Sequence, residues 1–253
     1  MPAHALRLSI IIPVYNEIAT VSRLLEKVIA LPLAGVEKEI IAIESNSTDG
    51  TRDVVRRYES EGKLKALYEE QPMGKGHAVK AGFAAATGDW VLIQDGDLEY
   101  DPADYPALLA PLQEGKTSFV LGSRHLGHQD WRYRRRGRTQ WLGYVIDCGA
   151  WVYTRFFNLL YGVALTDPCT MYKVFPRRCL DELRLTSDGF ELDWEIVSKM
   201  VRRGHVPFEV PIAYESRSFA EGKKVRIWRD GWKALWAILR FRFENEGAVE
   251  RRD

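Results

Sequence analysis

Four apolar stretches in the N-terminal half each break off into a polar loop, and amphipathic segments lie between them. This alternation constrains the fold more than any other feature of the chain. Leu8 to Val14 carries Ile10, Ile11 and Ile12 in a row and reads as a buried strand, with Pro13 near its end, where a missing N–H costs little. The loop Tyr15-Asn16-Glu17 follows, then an amphipathic helix from Thr20 to Ala30. Glu39 to Ile43 is a second strand, and Thr51 to Glu59 a helix with Ser47 or Thr48 as its cap. Lys65 to Tyr68 is a short third strand, and Gly74-Lys75-Gly76 opens a helix running to about Ala86. Trp90 to Gln94 is the fourth strand and Phe119 to Gly122 another. Strands alternating with helices imply an α/β fold with a mostly parallel sheet and right-handed crossovers.

The second half reads differently. Arg132 to Arg138 is a basic, aromatic loop, and Trp141 to Tyr161 a long aromatic-rich helix. Thr166 to Phe175 is a turn and strand, Phe190 to Arg203 a helix, Val206 to Tyr214 a strand and Ser216 to Val225 a loop. Arg229 to Phe243 is a final amphipathic helix. These elements are expected to finish and cover the first half's sheet, giving one main domain over residues 1–225, with the amphipathic helix and tail over 226–253. A chain of 253 residues suffices for that. A net charge of +1 gives no global basis for nucleic-acid binding. The cysteines Cys148, Cys169 and Cys179 are odd in number and lack metal-ligand spacing, which points to a reducing compartment. No apolar run reaches the roughly 18 residues of a membrane span, and the N-terminus lacks a signal-peptide layout. The expectation is a cytoplasmic protein, with docking at the cytoplasmic membrane face as a further possibility.

The chemistry concentrates after the fourth strand, in Asp95-Gly96-Asp97-Leu98-Glu99. Strand side chains alternate, so Asp95 and Asp97 point the same way. With Glu99 they form an oxygen-rich set suited to a hard divalent cation, which completes its shell with water and phosphate. The polar loops after the other strands meet this one at the carboxyl edge of the sheet, where open α/β sheets bind ligands. Gly74 and Gly76 leave backbone room beside a diphosphate, and Lys75 supplies a counter-charge. The spacing is not that of a Walker loop, and no dinucleotide fingerprint follows the first strand.

Taken in order, Ile12-Pro13-Val14-Tyr15-Asn16-Glu17, Ser47-Thr48-Asp49-Gly50-Thr51, Gly74-Lys75-Gly76 and Asp95-Gly96-Asp97 resemble family 2 glycosyltransferases with the GT-A fold. Gly122-Ser123-Arg124, Thr166-Asp167, Tyr172-Lys173-Val174-Phe175, Phe190-Glu191-Leu192-Asp193, Glu209-Val210-Pro211-Ile212 and Glu221-Gly222-Lys223-Lys224 look like the polyprenyl-phosphate hexosyltransferase branch, of the dolichyl-phosphate mannose synthase type. The resemblance implies a nucleotide-sugar donor (GDP-mannose or a UDP-hexose), Mg²⁺ or Mn²⁺ as cofactor and a polyprenyl-phosphate acceptor. It implies donor contacts from Pro13, Tyr15, Glu17, Glu44, Ser45, Lys75, Asp95 and Gly96, and metal contacts from Asp95, Asp97 and Glu99. Arg124, Arg136, Arg138, Lys223 and Lys224 would face the acceptor, and Asp97, Asp167 and Arg124 would carry catalysis. The chain departs from the family at Glu44-Ser45, where two aspartates are usual, at Glu99, where Gln is frequent, and at Pro168-Cys169-Thr170-Met171-Tyr172 after Asp167.

The implied reaction is inverting displacement at the anomeric carbon. An ionised phosphate acceptor needs positive charge beside it rather than a base. A hydroxyl acceptor needs a carboxylate base, for which Asp167, Glu191 and Asp193 are candidates. Two alternatives stay open: a glycosyltransferase using such a hydroxyl, and a non-catalytic nucleotide-sugar-binding protein. In the last helix Trp228, Trp232, Leu235, Trp236 and Leu239 share a face among basic residues, which suits either the bilayer interface or packing on the sheet.

Overall fold

The computed structural model describes residues 6–126, 140–216 and 227–244, with side chains from 148 and 231 onward in the last two segments. Seven strands form one sheet in the order β3-β2-β1-β4-β6-β5-β7. They are β1 (Leu6–Val14), β2 (Val36–Glu44), β3 (Lys65–Tyr68), β4 (Trp90–Ile93), β5 (Val120–Ser123), β6 (Lys173–Pro176) and β7 (Phe208–Pro211). The helices are α1 (Val21–Ala30), α2 (Thr51–Ser60), α3 (Lys75–Ala85), α4 (Tyr105–Gln113), α5 (Gln140–Tyr161), α6 (Leu192–Arg202) and α7 (Ile227–Phe243). Ile10, Ile11 and Ile12 pair in parallel with Ile40, Ile41 and Ala42, and all six are buried. This run has no polar face because both sides of the sheet are covered.

One strand breaks the parallel pattern. β6 runs antiparallel between β4 and β5, matching Val91 to Phe175 and Val120 to Val174. The elements of the second half thus complete the same sheet. Because β6 is reversed, its N-terminal end meets the carboxyl edge of the parallel strands, and the Asp167–Tyr172 segment arrives there.

Packing explains the local choices. Lys38 leaves β2 and donates from Nζ to the carbonyls of Val28, Ile29 and Leu31 at 2.7, 2.7 and 2.5 Å, satisfying the C-terminal carbonyls of α1. At α2 the expected cap is replaced. Gly50 takes the N-cap position at φ +95°, and Asp49 Oδ1 accepts the Thr51 N–H at 3.0 Å. Helix α6 is buried from Leu192 to Met200, acids included. Lys173 Nζ reaches Asp193 at 3.1 Å and Lys199 Nζ reaches Glu195 at 2.7 Å, so those charges are paired where water is absent. In α7 the buried residues are Ala237, Ile238 and Phe241, while Trp232, Trp236 and Leu239 are exposed. The face holding those aromatics does not pack on the sheet. Among the described residues, no helix is long and apolar enough to cross a membrane.

Candidate active site

The loops after β1 and β2 are stitched into one unit. The Asn16 N–H donates to Ser47 Oγ at 2.9 Å, the Thr48 N–H to Asn16 Oδ1 at 2.8 Å, and the Glu17 N–H to Thr51 Oγ1 at 2.9 Å. Asn16 and Asn46 both sit in the left-handed region, at φ 50° and 56°, a conformation asparagine tolerates. Tyr15 stands out from this unit into solvent, while Glu17 and Ser45 are buried beside it. Thr20 Oγ1 donates to the Gly96 carbonyl at 2.9 Å, tying the unit to the acidic loop. A Cβ at Gly96 would come within 3.3 Å of the Pro13 carbonyl, so Pro13, Glu17 and Gly96 meet at one crossing.

Glu44 is placed differently from its expected donor contact. Its carboxylate is fully buried, accepts the Ser47 N–H at 2.6 Å and pairs with Arg52. Burial alone would raise its pKa, yet hydrogen bonds from Ser47 and Arg52 hold it below the usual carboxylate value. Glu44 therefore braces the loop, with Ser45 buried beside it.

The glycines beside Lys75 also have another role than giving a diphosphate room. Gly74 has φ +107°, and a Cβ on Gly76 would stand 2.7 Å from the Ser187 carbonyl oxygen and 2.8 Å from that of Gly189. The start of α3 is pressed against the 187–189 backbone, and the His77 N–H donates to the Asp188 carbonyl at 3.2 Å. This contact aims Lys75 inward, where Nζ meets Asp95 Oδ1 at 2.6 Å.

Beyond the Asp95 contact, the charges of Asp193 and Asp97 also act on this ammonium. Burial works against its charge, but the three carboxylates outweigh burial and raise its pKa. Asp95 is pushed up to about 6 by burial, with Asp97 adding to the rise and Lys75 opposing it. Asp193 is itself paired with Lys173, so Asp95 and Asp97 are the carboxylates that Lys75 chiefly serves, and a divalent ion fits that pair. Glu99 does not join it. Asp97 Oδ1 accepts the Glu99 N–H at 3.1 Å, Leu98 takes φ 61°, and Glu99 Oε2 turns away to accept the Tyr214 hydroxyl at 2.6 Å. Among the described residues, no group of three His, Cys, Asp or Glu side chains is close enough to hold a metal ion. Asp95 and Asp97 would therefore supply the protein ligands, with diphosphate and water completing the shell.

The other half of the site is built on Arg124 at the end of β5. Asp167 Oδ2 accepts from the Arg124 backbone N–H at 3.0 Å and from Nε at 2.7 Å, and Oδ1 accepts from Nη2 at 2.8 Å. Asp167 is itself fixed by Glu209, whose carboxylate accepts the Thr166 and Asp167 N–H groups at 2.7 and 2.8 Å. Burial pushes the Asp167 pKa up, but Arg124 overrides it and keeps the carboxyl below its ordinary range. The guanidinium lies over the Tyr214 ring at 5.1 Å, and its Nη1 makes no hydrogen bond among the described residues. Tyr214 thus touches both halves of the site. Nothing in its sequence context signals this, and Glu209 shows itself only as part of a family motif. Arg136, Arg138, Lys223 and Lys224 lie outside the described residues.

Comparisons with known proteins agree with this geometry. The family model "Glycosyl transferase family 2" matches residues 9–184. The chain is 28% identical over 223 residues to the glycosyltransferase AglJ of Haloferax volcanii, covering 88% of this chain and 67% of that one. It is 26% identical over 225 residues to the dolichol-phosphate mannosyltransferase of Pyrococcus furiosus, covering 87% and 61%. It is 26% identical over 190 residues to the dodecaprenyl-phosphate galacturonate synthase of Rhizobium johnstonii, covering 74% and 53%. The chain thus spans between about half and two thirds of these relatives' length. Among solved structures, glucosyl-3-phosphoglycerate synthase of Mycobacterium tuberculosis with Mn²⁺, UDP and glucosyl-3-phosphoglycerate superposes with a TM-score of 0.69 at 22% identity, covering 93% of this chain and 80% of that one. The same synthase with Mg²⁺ and UDP gives 0.67 at 21% identity, covering 93% and 79%. The GT-A fold, the acidic cluster at the carboxyl edge and the family match make this chain a glycosyltransferase of family 2.

Proposed function

We propose that the protein transfers a hexose, with inversion, from a nucleotide sugar to a polyprenyl phosphate. The observation that carries this reading is the saturation of Asp167 by three hydrogen bonds from Arg124. A hydroxyl acceptor needs a carboxylate free to take its proton. Of the three candidate bases, Asp167 is bound down on both oxygens, Asp193 is buried against Lys173, and Glu191 faces Lys233 at 4.0 Å. A phosphate acceptor is already ionised and needs a fixed cation instead, which Arg124 supplies through its remaining Nη1. The names of two relatives, a dolichol-phosphate and a dodecaprenyl-phosphate enzyme, favour the same acceptor class.

In this reading Tyr15, Glu17 and Ser45 line the nucleoside pocket. Lys75 orients Asp95 and faces the donor diphosphate. Asp95 and Asp97 hold Mg²⁺ or Mn²⁺, which when bound neutralises the charge gathering on the leaving diphosphate. Arg124 holds the acceptor phosphate for in-line attack, and the Asp167 brace keeps its guanidinium from following the substrate. The donor is GDP-mannose or a UDP-hexose. A lipid acceptor places the work at the cytoplasmic membrane face.

Incubating the protein with radiolabelled GDP-mannose or UDP-hexose, Mn²⁺ and a short-chain prenyl phosphate tests the proposal. Label should enter an organic-extractable, acid-labile product and disappear with EDTA. Label passing only to glycans or soluble hydroxyl acceptors would overturn it.

A further inference from the structure

Opposite the active site, the amino edge of the sheet holds a cleft of about 670 Å³ that the proposed reaction leaves unused. It opens where β1 and β4 begin and β6 ends, with Leu6, Trp90 and Pro176 in its lining, and Leu112 of α4 adds to the apolar wall. A volume of that order suits a small organic molecule. The polar groups around it are mostly spent within the protein. Thr87 Oγ1 donates to Glu39 Oε1 at 2.8 Å, and Thr117 Oγ1 donates to the Phe119 carbonyl at 3.0 Å. Ser118 Oγ meets His205 Nδ1 at 2.8 Å, and Asp89 Oδ2 accepts the Arg7 N–H at 2.8 Å.

Two adjacent cations remain. Arg177 and Arg178 follow Pro176 directly, and both line the cleft. The Arg177 N–H donates to the Asp89 carbonyl at 2.9 Å, which fixes the backbone there. Its side-chain Nε is buried, yet it makes no hydrogen bond among the described residues. A buried donor on a permanent cation is costly to leave unmatched, and a bound anion is its natural match. Arg178 stands exposed at the rim. Two guanidinium groups beside an apolar wall suit a dianion carried on an apolar body. Their planar forks take up phosphate oxygens in pairs, while Trp90 and Leu112 supply the wall for the body. A carboxylate would answer only one of the two charges. Arg177 also borders a smaller cleft of about 370 Å³ beside Asp181, whereas Arg178 lines the larger one.

We infer that the amino-edge cleft is a second, non-catalytic binding site, for a small phosphate monoester with an apolar body. It lies where β4 begins and β6 ends, and these paired strands lead at their other ends to Asp95 and Asp97 and to the Asp167–Tyr172 segment. The site does not depend on the acceptor reading, and neither does its test. Phenyl phosphate, inorganic phosphate, benzoate and phenol are titrated calorimetrically into the full-length protein in EDTA, so that no metal phosphate contributes. Phenyl phosphate should bind at least about tenfold more tightly than inorganic phosphate or benzoate, and phenol should not bind measurably. Arg177→Met and Arg178→Glu should each weaken phenyl phosphate binding at least about tenfold. Both should keep wild-type transfer kinetics, and Arg177→Met should keep the wild-type melting temperature, since its Nε gives up no partner. Arg124→Met/Asp167→Asn, which lacks the acceptor cation, should retain the binding that Arg177→Met removes. Wild type without saturable phenyl phosphate binding overturns the inference. So does binding that Arg124→Met/Asp167→Asn abolishes and Arg178→Glu leaves intact, which would put the anion at the acceptor position. Binding lost in Arg177→Met but unchanged in Arg178→Glu would also overturn it, by moving the anion to the smaller cleft.

Discussion

The Arg124–Asp167 pair separates folding from acceptor binding, because it predicts different outcomes for a single and a double replacement. Asp167 is 2% exposed and takes three hydrogen bonds from Arg124. Arg124→Met keeps much of the side-chain volume but leaves this carboxylate buried without its cation. Removing one partner of a buried pair costs roughly 3–5 kcal/mol. For a chain of this size that lowers the melting temperature by roughly 10 °C. Adding Asp167→Asn removes the stranded charge, and the amide oxygen can still accept the backbone N–H of residue 124, so the double variant should regain at least half of the loss. The acid limb checks the same pair. A carboxyl held below its ordinary 3.8 stabilises the fold fully above that value and loses the effect as pH falls through its folded value. The stability gap between wild type and the double variant should therefore close below about pH 4. Acceptor use should follow a different course. A charge-assisted hydrogen bond to phosphate is worth about 1.5–3 kcal/mol, so kcat/KM for the acceptor should fall by about ten- to a hundredfold in both variants. UDP·Mn²⁺ affinity should stay unchanged. The assays are thermal melts across pH, calorimetric nucleotide binding and transfer kinetics. A double variant that regains acceptor kinetics along with stability would show that Arg124 is purely structural. A single variant as stable as wild type would refute the pairing argument.

Three other outcomes follow from the same geometry. Asp97→Asn and Asp95→Asn should abolish transfer and metal-dependent UDP binding while the protein stays folded, and wild-type Mn²⁺-dependent UDP binding should weaken as pH falls through about 6, where Asp95 takes up a proton; full activity of Asp97→Asn in EDTA would refute the metal assignment. The sign for the metal-free protein is opposite: the Asp95 pKa is raised on folding, so this group favours the fold more as pH falls from about 6 toward 3.8, which melts without metal would show. Tyr214→Phe should keep the ring under Arg124 but take from Glu99 the hydroxyl it accepts, loosening the loop that carries Asp97 and lowering UDP·Mn²⁺ affinity several-fold with acceptor KM unchanged, whereas Tyr214→Leu should raise acceptor KM as well; an unaltered metal titration for Tyr214→Phe would count against that support. Gly76→Ala should destabilise the protein by more than about 1 kcal/mol, because the new methyl meets backbone rather than a movable side chain; an unchanged melting temperature would contradict the close approach.

The strands of the first half were legible because their apolar runs answer to burial on both sides, and Lys65–Tyr68 falls where its pattern places it. Helix α4 was not legible: Pro106 falls in its first turn, where proline is tolerated, but Pro111 lies inside the helix, and both read as breakers. Nor was the reversal of β6, since a strand buried on both faces carries no mark of its direction. At the site, the carboxylate pair and Lys75 follow from strand alternation and loop position. The inward turn of Glu44 and the lateral turn of Glu99 depend on Arg52 and Tyr214, partners distant enough that spacing is silent about them. The glycines at 74 and 76 announce a close approach, but not which backbone approaches.

The position of β6 also bears on how the chain is made. Strands β1 to β4 can pair as they emerge, since β4 lies beside β1. Beyond that point the sheet must wait, because β4 and β5 do not pair with each other and are joined through β6, which is synthesised after the whole of α5. During that interval β4 is an open edge of apolar residues, a template for other chains. A nascent chain halted before Lys173 would therefore be aggregation-prone, and the release of Lys173–Pro176 from the ribosome would be the step that closes the sheet and first brings Asp167 to Arg124.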